Sequence, residues 1–153
     1  MENVTIVDYN PQYAEDFKRL NVAWIEKYFK VEEHDLEQLS DPDGYIISKG
    51  GHILVAKLDE NVVGVCALVK TGEDAFELVK MAVDPSAQGK KIGDQLGRAA
   101  LRKAKDEGAT YVWLESNRIL TPAINLYLKL GFKEIPMAET PYERADIKME
   151  VYL

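Results

Sequence analysis

The sequence predicts one domain, residues 1–153, of mixed α/β class. A chain of this length suits a single hydrophobic core. Apolar runs rich in β-branched residues are interspersed with longer segments of helical periodicity, which is typical of a sheet covered by helices. One strand–helix–strand unit, from Phe76 to Glu115, predicts a parallel strand pair joined by a right-handed crossover.

The first third of the chain is predicted to form a strand and two helices. The run "VTIVDY" (residues 4–9) has the composition of a strand. Residues 11–30 are a predicted helix because their large apolar side chains recur at helical spacing. These side chains are Phe17, Leu20, Trp24, Ile25 and Tyr28. Residues 32–39 predict a second, short helix, and the Asp, Pro and Gly content of residues 40–44 predicts a turn.

Three strands are predicted in the middle of the chain. Residues 52–58 and 62–69 are β-rich runs joined by "DEN", which predicts a hairpin, and residues 75–83 predict a further strand. The second run contains Cys66, the only cysteine, so no internal disulfide can form. The apolar neighbours of Cys66 indicate a buried structural thiol rather than a nucleophile.

The segment after the third strand predicts a helix and then a strand. Residues 91–108 carry an apolar stripe at helical spacing and end at Gly108, a residue type that commonly caps a helix C-terminus. Residues 110–116 have the composition of a strand. This is the pair of elements that completes the crossover unit.

A last helix and strand are predicted at the C-terminus. The sequence "TPAINLYLKLG" predicts a helix with Thr121 as N-cap, Pro122 at its first position and Gly131 at its end. Residues 145–153 predict the last strand.

The overall charge limits the classes of partner. The formal net charge is −7 and the isoelectric point about 4.9, which argues against nucleic acid or an anionic membrane as the main partner. No apolar stretch is long enough to span a bilayer. The N-terminal sequence lacks the basic start and apolar core of a signal peptide, so we expect a cytoplasmic protein.

The segment "DPSAQGKKIG" (residues 84–93) joins a predicted strand to the start of a predicted helix. At a helix N-terminus the first backbone N–H groups lack partners, and the helix dipole favours an anion there. Gly89 and Gly93 bracket this first turn, with two lysines between them, which favours a phosphate site. Neither the P-loop nor the dinucleotide-binding motif is present. Because Gly89, Gly93 and Gly97 are spaced by four, a small-residue face that packs closely on the sheet is an equal alternative.

Three stretches in sequence order resemble the GNAT superfamily of N-acetyltransferases: "ELVKMAVDPSAQGKKIGDQL", "LESN" and "AINLYLKLGF". The resemblance is good over residues 53–132. The family's pyrophosphate loop follows the pattern Q/R-x-x-G-x-G/A, and the matching residues here are Gln88, Gly89, Lys90, Lys91, Ile92 and Gly93. Lys91 stands where the inner glycine is expected. Because backbone N–H groups bind the ligand in this family, we expect Lys91 to supply one from a helical φ.

A second family signature, A-x-x-L-Y-x-x-x-G-F, matches the last predicted helix. The matching residues are Ala123, Leu126, Tyr127, Gly131 and Phe132. Two signatures in the right order predict that the segment at residues 84–93 holds the pyrophosphate of acetyl-coenzyme A. The resemblance also implies a mostly antiparallel central sheet with one parallel strand pair, joined by a crossover helix, and helices on both faces.

The resemblance implies further contacts with acetyl-CoA and no metal. Backbone groups of Met81, Ala82 and Val83 are expected to bind the pantetheine arm, while their side chains lie in the core. The family often has an asparagine three residues before the alanine of its second signature, but this chain has Leu120 there and Asn117 further upstream. Asn117 is therefore expected either to contact the cofactor or to cap a turn.

The resemblance also implies a general base and a general acid. Glu77 matches the general-base glutamate of several family members, and Tyr127 matches the tyrosine that protonates the leaving thiolate. Strand alternation is expected to place Glu77, Val79, Met81 and Val83 on one face. A lone glutamate in an apolar strand indicates burial and a raised pKa. The alternatives are a solvent-facing glutamate and a tyrosine that only packs in the core.

The acceptor is expected to be a small-molecule or peptide amine. Residues 31–48 contain six carboxylates and no lysine or arginine, and the resemblance places this segment beside the acceptor. One interpretation is an acidic wall, centred on residues such as Asp35 and Glu37, that attracts a cationic amine. The other is a solvated helix face. A homodimer is compatible with the sequence.

Two other functions are alternatives to an enzyme. A module that binds acyl-CoA without turnover is the main alternative, and the presence of both Glu77 and Tyr127 disfavours it. A nucleotide-binding regulatory domain is disfavoured by the missing phosphate motifs. His34 and His52 have no neighbours at metal-ligand spacing and are expected to be surface or turn residues.

Overall fold

A seven-stranded sheet forms the centre of the computed structural model, which describes residues 3–153. The strand order is β1-β2-β3-β4-β5-β7-β6, and β4 and β5 are the one parallel pair among the described strands. The strands are β1 (Val4–Asp8), β2 (His52–Leu58), β3 (Asn61–Gly72), β4 (Ala75–Val83), β5 (Tyr111–Ser116), β6 (Lys133–Ile135) and β7 (Ile147–Tyr152).

Helices cover both faces of this sheet. They are α1 (Ala14–Tyr28), α2 (Glu33–Ser40), α3 (Pro42–Tyr45), α4 (Ile92–Asp106) and α5 (Thr121–Lys129). Buried side chains of α1 and α2 form one apolar cluster with the sheet, and those of α4 form a second cluster on the other face, joined by α5. The mixed, mostly antiparallel sheet with one parallel pair and helices on both faces confirms the predicted fold class.

Four details differ from the elements expected from sequence. Residues 40–44 are not only a turn, because Asp41 accepts a hydrogen bond from the Gly44 N–H (3.0 Å) and Pro42 follows as the first residue of α3. Residues 11–13 form a 3₁₀ turn before α1. Helix α5 has Leu120, not Thr121, at its N-cap, so its proline is the second helical residue. Strand β6 was not expected.

The glycines of α4 make room for α5. A Cβ added at Gly97 would lie 2.5 Å from Leu130 Cδ1, and one added at Gly93 would lie 3.3 Å from Leu126 Cδ2. Close packing therefore explains these two glycines, but the main partner is α5 with its C-cap Leu130, and the sheet contributes only Met81 at Gly93. The backbone N–H groups at the start of α4 remain available whichever way the glycine α-carbons face.

The parallel pair is short, and this creates an opening in the sheet. Strands β4 and β5 are paired only from Ala75–Tyr111 to Glu77–Trp113. Beyond this point β4 stays paired with β3 as far as Val83, and β5 stays paired with β7 as far as Ser116. The two strands therefore diverge after Glu77.

A β-bulge interrupts β4 at the same place. Lys80 has a left-handed φ of 55°, and the register shifts where Cys66 of β3 faces an extra residue of β4. Val79 consequently packs with the α1 cluster, whereas Met81 and Val83 pack with the α4 cluster. The expectation that Glu77, Val79, Met81 and Val83 share one face is wrong, because the bulge reverses the alternation between Val79 and Met81.

Lys91, the N-cap of α4, also has a left-handed backbone, with φ 59° and ψ 31°. The expectation of a helical φ at this position is wrong. The left-handed region is the one in which glycine is favoured and other residues are strained. The inner glycine of the family pattern therefore corresponds to a conformational requirement that this chain meets with a lysine.

Replacing Lys91 by glycine is expected to stabilise the fold. Relief of the left-handed strain contributes about 1 to 2 kcal/mol, and the greater freedom of glycine in the unfolded chain offsets about 0.5 to 1 kcal/mol of it. The urea midpoint of Lys91→Gly should rise without a change of slope. Lys90→Gly is the control, because φ at Lys90 is not positive; it should lower the midpoint. A Lys91→Gly midpoint below that of the wild type would contradict the assigned strain.

Candidate active site

A cleft occupies the opening between β4 and β5. It is lined by residues of α1, β4, β5 and α5, and by the segment that precedes β7. Its charged side chains are Glu77 and Lys80 of β4, Glu115 of β5 and Arg144 of the segment before β7. The divergence of the strands thus gathers four charged side chains around one opening.

Glu77 lies where the two strands separate. Burial, and then the neighbouring Glu115 carboxylate, raise the pKa of Glu77 to about 7, against the attraction of Lys80 and Lys148. Glu77 pairs with Trp113 across the parallel ladder, so Glu115, two residues further along β5, lies on the same face. The raised pKa agrees with the expectation drawn from a lone glutamate in an apolar strand.

Tyr127 reaches the cleft from α5. Its ring packs edge-on against Phe132, with centroids 5.9 Å apart. Burial, and then the nearby Cys66, raise the pKa of Tyr127 to about 12, so the hydroxyl stays protonated at neutral pH. Within residues 3–153 this hydroxyl makes no hydrogen bond. Tyr127 therefore packs in the core and also presents an unused O–H to the cleft.

The loop before α4 offers unpaired backbone donors. Gly89 has φ 85°, a conformation that suits glycine. In the described part of the chain, the N–H groups of Gly89, Ile92 and Gly93 donate no hydrogen bond. Ile92 contributes only its backbone, because its side chain is buried in the core. Three free N–H groups at a helix N-terminus form a cradle for an anion.

The other predicted cofactor contacts lie at or next to the cleft. Met81 lines the cleft, and its sulfur lies 3.9 Å from where a Cβ added at Gly93 would be. Met81 therefore connects the cleft to the start of α4. Ala82 is 2% exposed, so its side chain belongs to the core as expected. Beyond Glu77 the β5-facing edge of β4, which runs to Val83, has no strand partner. Gln88, Lys90 and Lys91 lie in the loop before α4.

A buried charged cluster forms one side of the cleft, and sequence reasoning missed it. Asp35 of α2 is completely buried and lies 2.8 Å from Lys80 Nζ. Arg144 donates from Nη1 and Nη2 to both oxygens of Asp35, at 2.8 and 2.7 Å, and from Nη1 to Glu32 at 3.0 Å. Lys80 also donates to the Tyr142 hydroxyl at 2.9 Å. One sequence signal was available: Lys80 is a basic residue within an apolar strand.

Comparison with known proteins identifies the family. The sequence model of the Acetyltransferase (GNAT) family matches residues 13–132, more than half of the chain. The chain belongs to the GNAT acetyltransferase family. It is 29% identical over 145 residues to the uncharacterized N-acetyltransferase YjgM of Escherichia coli, covering 90% of this chain and 84% of that protein.

Two further similarities concern part of a longer relative and the fold. The chain is 33% identical over 119 residues to mouse N-acetylaspartate synthetase, covering 77% of this chain but only 38% of that protein. It shares its fold, with a TM-score of 0.78 and 16% identity, with yncA from Salmonella typhimurium, solved with its cofactor acetyl-CoA. That match covers 97% of this chain and 93% of the other. Because it belongs to the acetyltransferase family, the GNAT protein is an acetyl-CoA-dependent N-acetyltransferase, as the sequence predicts.

Asn117 holds a turn at the mouth of the cleft. Its Oδ1 accepts from the Ile119 N–H at 2.9 Å, and its Nδ2 donates to the Arg144 carbonyl at 2.6 Å. These bonds match the turn role that the sequence left open, and they tie the end of β5 to the segment that carries Arg144. Contact of Asn117 with the cofactor stays a prediction.

The acidic segment of the GNAT protein is only partly exposed: Glu33, Glu37, Asp41 and Asp43 face solvent, whereas Asp35 is buried. Asp35 and Glu32 point inward and are paired with Arg144. Asp41 caps α3, and Asp43 accepts from the Tyr9 hydroxyl at 3.1 Å. The donors to Asp41 and Asp43 are neutral and leave these two charges in place, so attraction of a cationic acceptor by this segment stays a prediction.

Residues 3–153 contain neither a candidate metal site nor a membrane-spanning helix. The part of the chain described by the structure contains no group of three side chains that could hold a metal ion. His52 lies 3.1 Å from Glu107, and His34 packs against the Tyr142 ring. None of the helices in residues 3–153 has the length and apolar character needed to cross a bilayer.

Replacing Asp35 by asparagine is expected to destabilise the protein by about 3 kcal/mol, because Lys80 and Arg144 would then be buried without a carboxylate. Burial acts to raise the pKa of Asp35, but the bonds from Arg144 and the attraction of Lys80 outweigh it and lower the pKa to about 2. The stabilisation is therefore fully present above pH 4 and is lost as the pH falls towards 2. Urea unfolding from pH 7 to 2 measures both effects.

Glu37→Gln is the matched control, because Glu37 is an exposed carboxylate on the same helix. It should change the unfolding free energy by less than about 0.5 kcal/mol. Equal losses in the two variants, or a deficit of Asp35→Asn that does not shrink in acid, would contradict the assigned burial.

Proposed function

We propose that this GNAT enzyme transfers the acetyl group from acetyl-CoA directly to a primary amine, with Glu77 as general base and Tyr127 as general acid. One observation carries the proposal: Glu77, a partly buried glutamate with a pKa of about 7, shares the cleft with the Tyr127 hydroxyl, which is protonated and makes no hydrogen bond within residues 3–153. The proposal concerns the roles of these residues and the amine class of the acceptor.

The general base must remove a proton from the acceptor amine at neutral pH. A lysine-type amine has a pKa of about 10.4 and is mostly protonated at neutral pH, so a proton must leave before the amine can attack. A general base works best when its pKa lies near the operating pH. Glu77 meets this condition because burial and Glu115 raise its pKa to about 7.

The acid must hold a proton for the leaving group. A phenol whose pKa is raised by burial keeps its proton throughout the neutral range, and residues 3–153 provide no acceptor for the Tyr127 hydroxyl. In this proposal Tyr127 transfers its hydroxyl proton to the thiolate sulfur as the carbon–sulfur bond of acetyl-CoA breaks. Water then returns a proton to the phenolate.

The loop before α4 fits the donor. Bound acetyl-CoA supplies the acyl group as a thioester. The free N–H groups of Gly89, Ile92 and Gly93 would bind its pyrophosphate, with Gln88, Lys90 and Lys91 around them. The open edge of β4 from Met81 to Val83 would bind the pantetheine arm, which runs from this loop towards Glu77.

An acceptor screen tests the reaction. Free amino acids, amino-acid amides, diamines and short peptides are incubated with enzyme and acetyl-CoA, and the release of free thiol is followed. The proposal expects release that depends on a primary amine. Binding of acetyl-CoA without thiol release for any acceptor would instead support the module that binds acyl-CoA without turnover.

Glu77→Gln is expected to lower kcat/KM by about 10² to 10⁴-fold at pH 7. In the wild type, kcat/KM should fall about tenfold per pH unit below pH 7, because the base must be deprotonated. This acidic limb should disappear in Glu77→Gln. The pH profile from 5 to 9, measured by thiol release, checks both results.

Glu115→Gln is the companion variant for this profile. Removal of the neighbouring carboxylate lowers the pKa of Glu77, so the acidic limb should move to lower pH while activity at pH 7 is largely kept. If the limb stays in place in both variants, another group is the base.

Tyr127→Phe is expected to lower kcat by about 10² to 10⁴-fold, since it removes only the hydroxyl and leaves the ring packed on Phe132. The Kd for acetyl-CoA, measured by calorimetry, should stay near the wild-type value. Tyr152→Phe is the control, because Tyr152 is 71% exposed and outside the cleft. Wild-type turnover in Tyr127→Phe would remove the tyrosine from the mechanism.

A further inference from the structure

The buried charged cluster beside the cleft has hydrogen-bond donors to spare. A guanidinium has five N–H donors in a fixed planar arrangement. Arg144 uses three of them, two from Nη1 and one from Nη2, on Asp35 and Glu32. The two that remain, Nε–H and the second N–H of Nη2, lie side by side on one edge. Within residues 3–153 they have no partner, although Arg144 lines the cleft.

Lys80 has one donor left as well. Of its three N–H groups, one is directed to Asp35 at 2.8 Å and one to the Tyr142 hydroxyl at 2.9 Å. The same Tyr142 ring lies under both cations, with Lys80 Nζ at 4.9 Å and Arg144 Cζ at 4.5 Å from its centroid. A pair of parallel N–H groups next to a further ammonium N–H is the arrangement that carboxylates bind best.

The backbone at Lys80 indicates that its side chain has a function. Its φ of 55° falls in the region that costs a residue other than glycine about 1 to 2 kcal/mol. Its side chain is only 4% exposed, so the ammonium is also desolvated. A glycine would fit this bulge at lower cost, and a buried ion pair seldom adds net stability over apolar packing. Folding alone therefore does not account for the lysine.

The charges on the walls of the cleft are arranged as a dipole. Glu77 and Glu115 lie on strands β4 and β5 near the point where they separate, and Lys80 and Arg144 lie together on Asp35. An acceptor with an ammonium group at the carboxylates and a carboxylate at the cations would complement both. A diamine would meet the cations with its second ammonium group.

We infer that the acceptor is an amino acid or a similar amine that carries a carboxylate, and that Arg144 and Lys80 bind that carboxylate. The inference rests on the proposed function, because it assigns the substrate class of the same cleft. It adds a specific anion site to the acidic wall predicted for residues 31–48.

The test compares matched acceptors. Each of the twenty amino acids is assayed as the free acid and as its primary amide, with thiol release followed at pH 7.5. We expect kcat/KM for the best acid to exceed that for its amide by about tenfold or more. The amine of an amide is deprotonated more readily than that of the free acid, so amine basicity works against this result.

Two variants locate the carboxylate site. Arg144→Lys keeps a positive charge on Asp35 but loses the planar edge, so kcat/KM for the acid should fall about tenfold and that for the amide less than threefold. Its KM for acetyl-CoA should not change. Arg118→Lys is the control, because Arg118 also holds a carboxylate, that of Glu134, but lies outside the cleft. It should leave the acid-to-amide ratio unchanged.

The outcomes separate the two proposals. If amides or diamines are acetylated as well as the acids, the carboxylate inference is wrong and the proposed function stands. Equal losses for acid and amide in Arg144→Lys would give Arg144 a structural role only and would also overturn the inference. If no acceptor releases thiol, the proposed function fails, and the substrate class fails with it. The wild-type ratio needs no variant, so a poorly folded Arg144→Lys leaves the inference testable.

Discussion

The short parallel pairing between β4 and β5 is the constraint on which the site depends. Strand β4 is paired with β3 as far as Val83, and β5 is paired with β7 as far as Ser116. Strands β4 and β5 are not paired with each other beyond Glu77 and Trp113. Their separation leaves backbone groups unpaired in the middle of a sheet, which a fold normally avoids. Here that opening is the cleft. It places Glu77 where neighbouring strands remove it from water, and it brings the end of β4 to the loop at the start of α4.

Much of the fold followed from local patterns, and the departures have physical causes. Strand β4 was predicted with the bounds it has, because an apolar run lies between polar turn residues. Strand β6 was missed because three residues are too few to show alternation, and β7 determines its pairing. The bulge at Lys80 was missed for a related reason. It depends on how β3 and β4 align, and the sequence of β4 alone contains no sign of that register.

In the candidate site, too, residues in local sequence patterns could be predicted, and residues brought together only by the fold could not. Glu77, Tyr127 and the loop before α4 could be predicted as site residues because each belongs to a short local pattern. The charged cluster was missed because Asp35 and Arg144 lie 109 positions apart, and Arg144 belongs to an irregular segment without periodicity. Composition indicated an acidic surface on α2, but it cannot show which carboxylates turn inward. Only the folded chain brings Asp35 to its two cations.

The buried cluster also connects the shape of the cleft to the stability of the fold. Asp35 joins α2, the bulge of β4 and the segment before β7, through Lys80 and Arg144. Because an unpaired charge in this position would be costly, the three elements are held in one arrangement. An apolar cluster would hold them more loosely, since it tolerates many packings. The cations therefore keep fixed positions relative to Glu77, which is what selection of an acceptor by two charged groups requires.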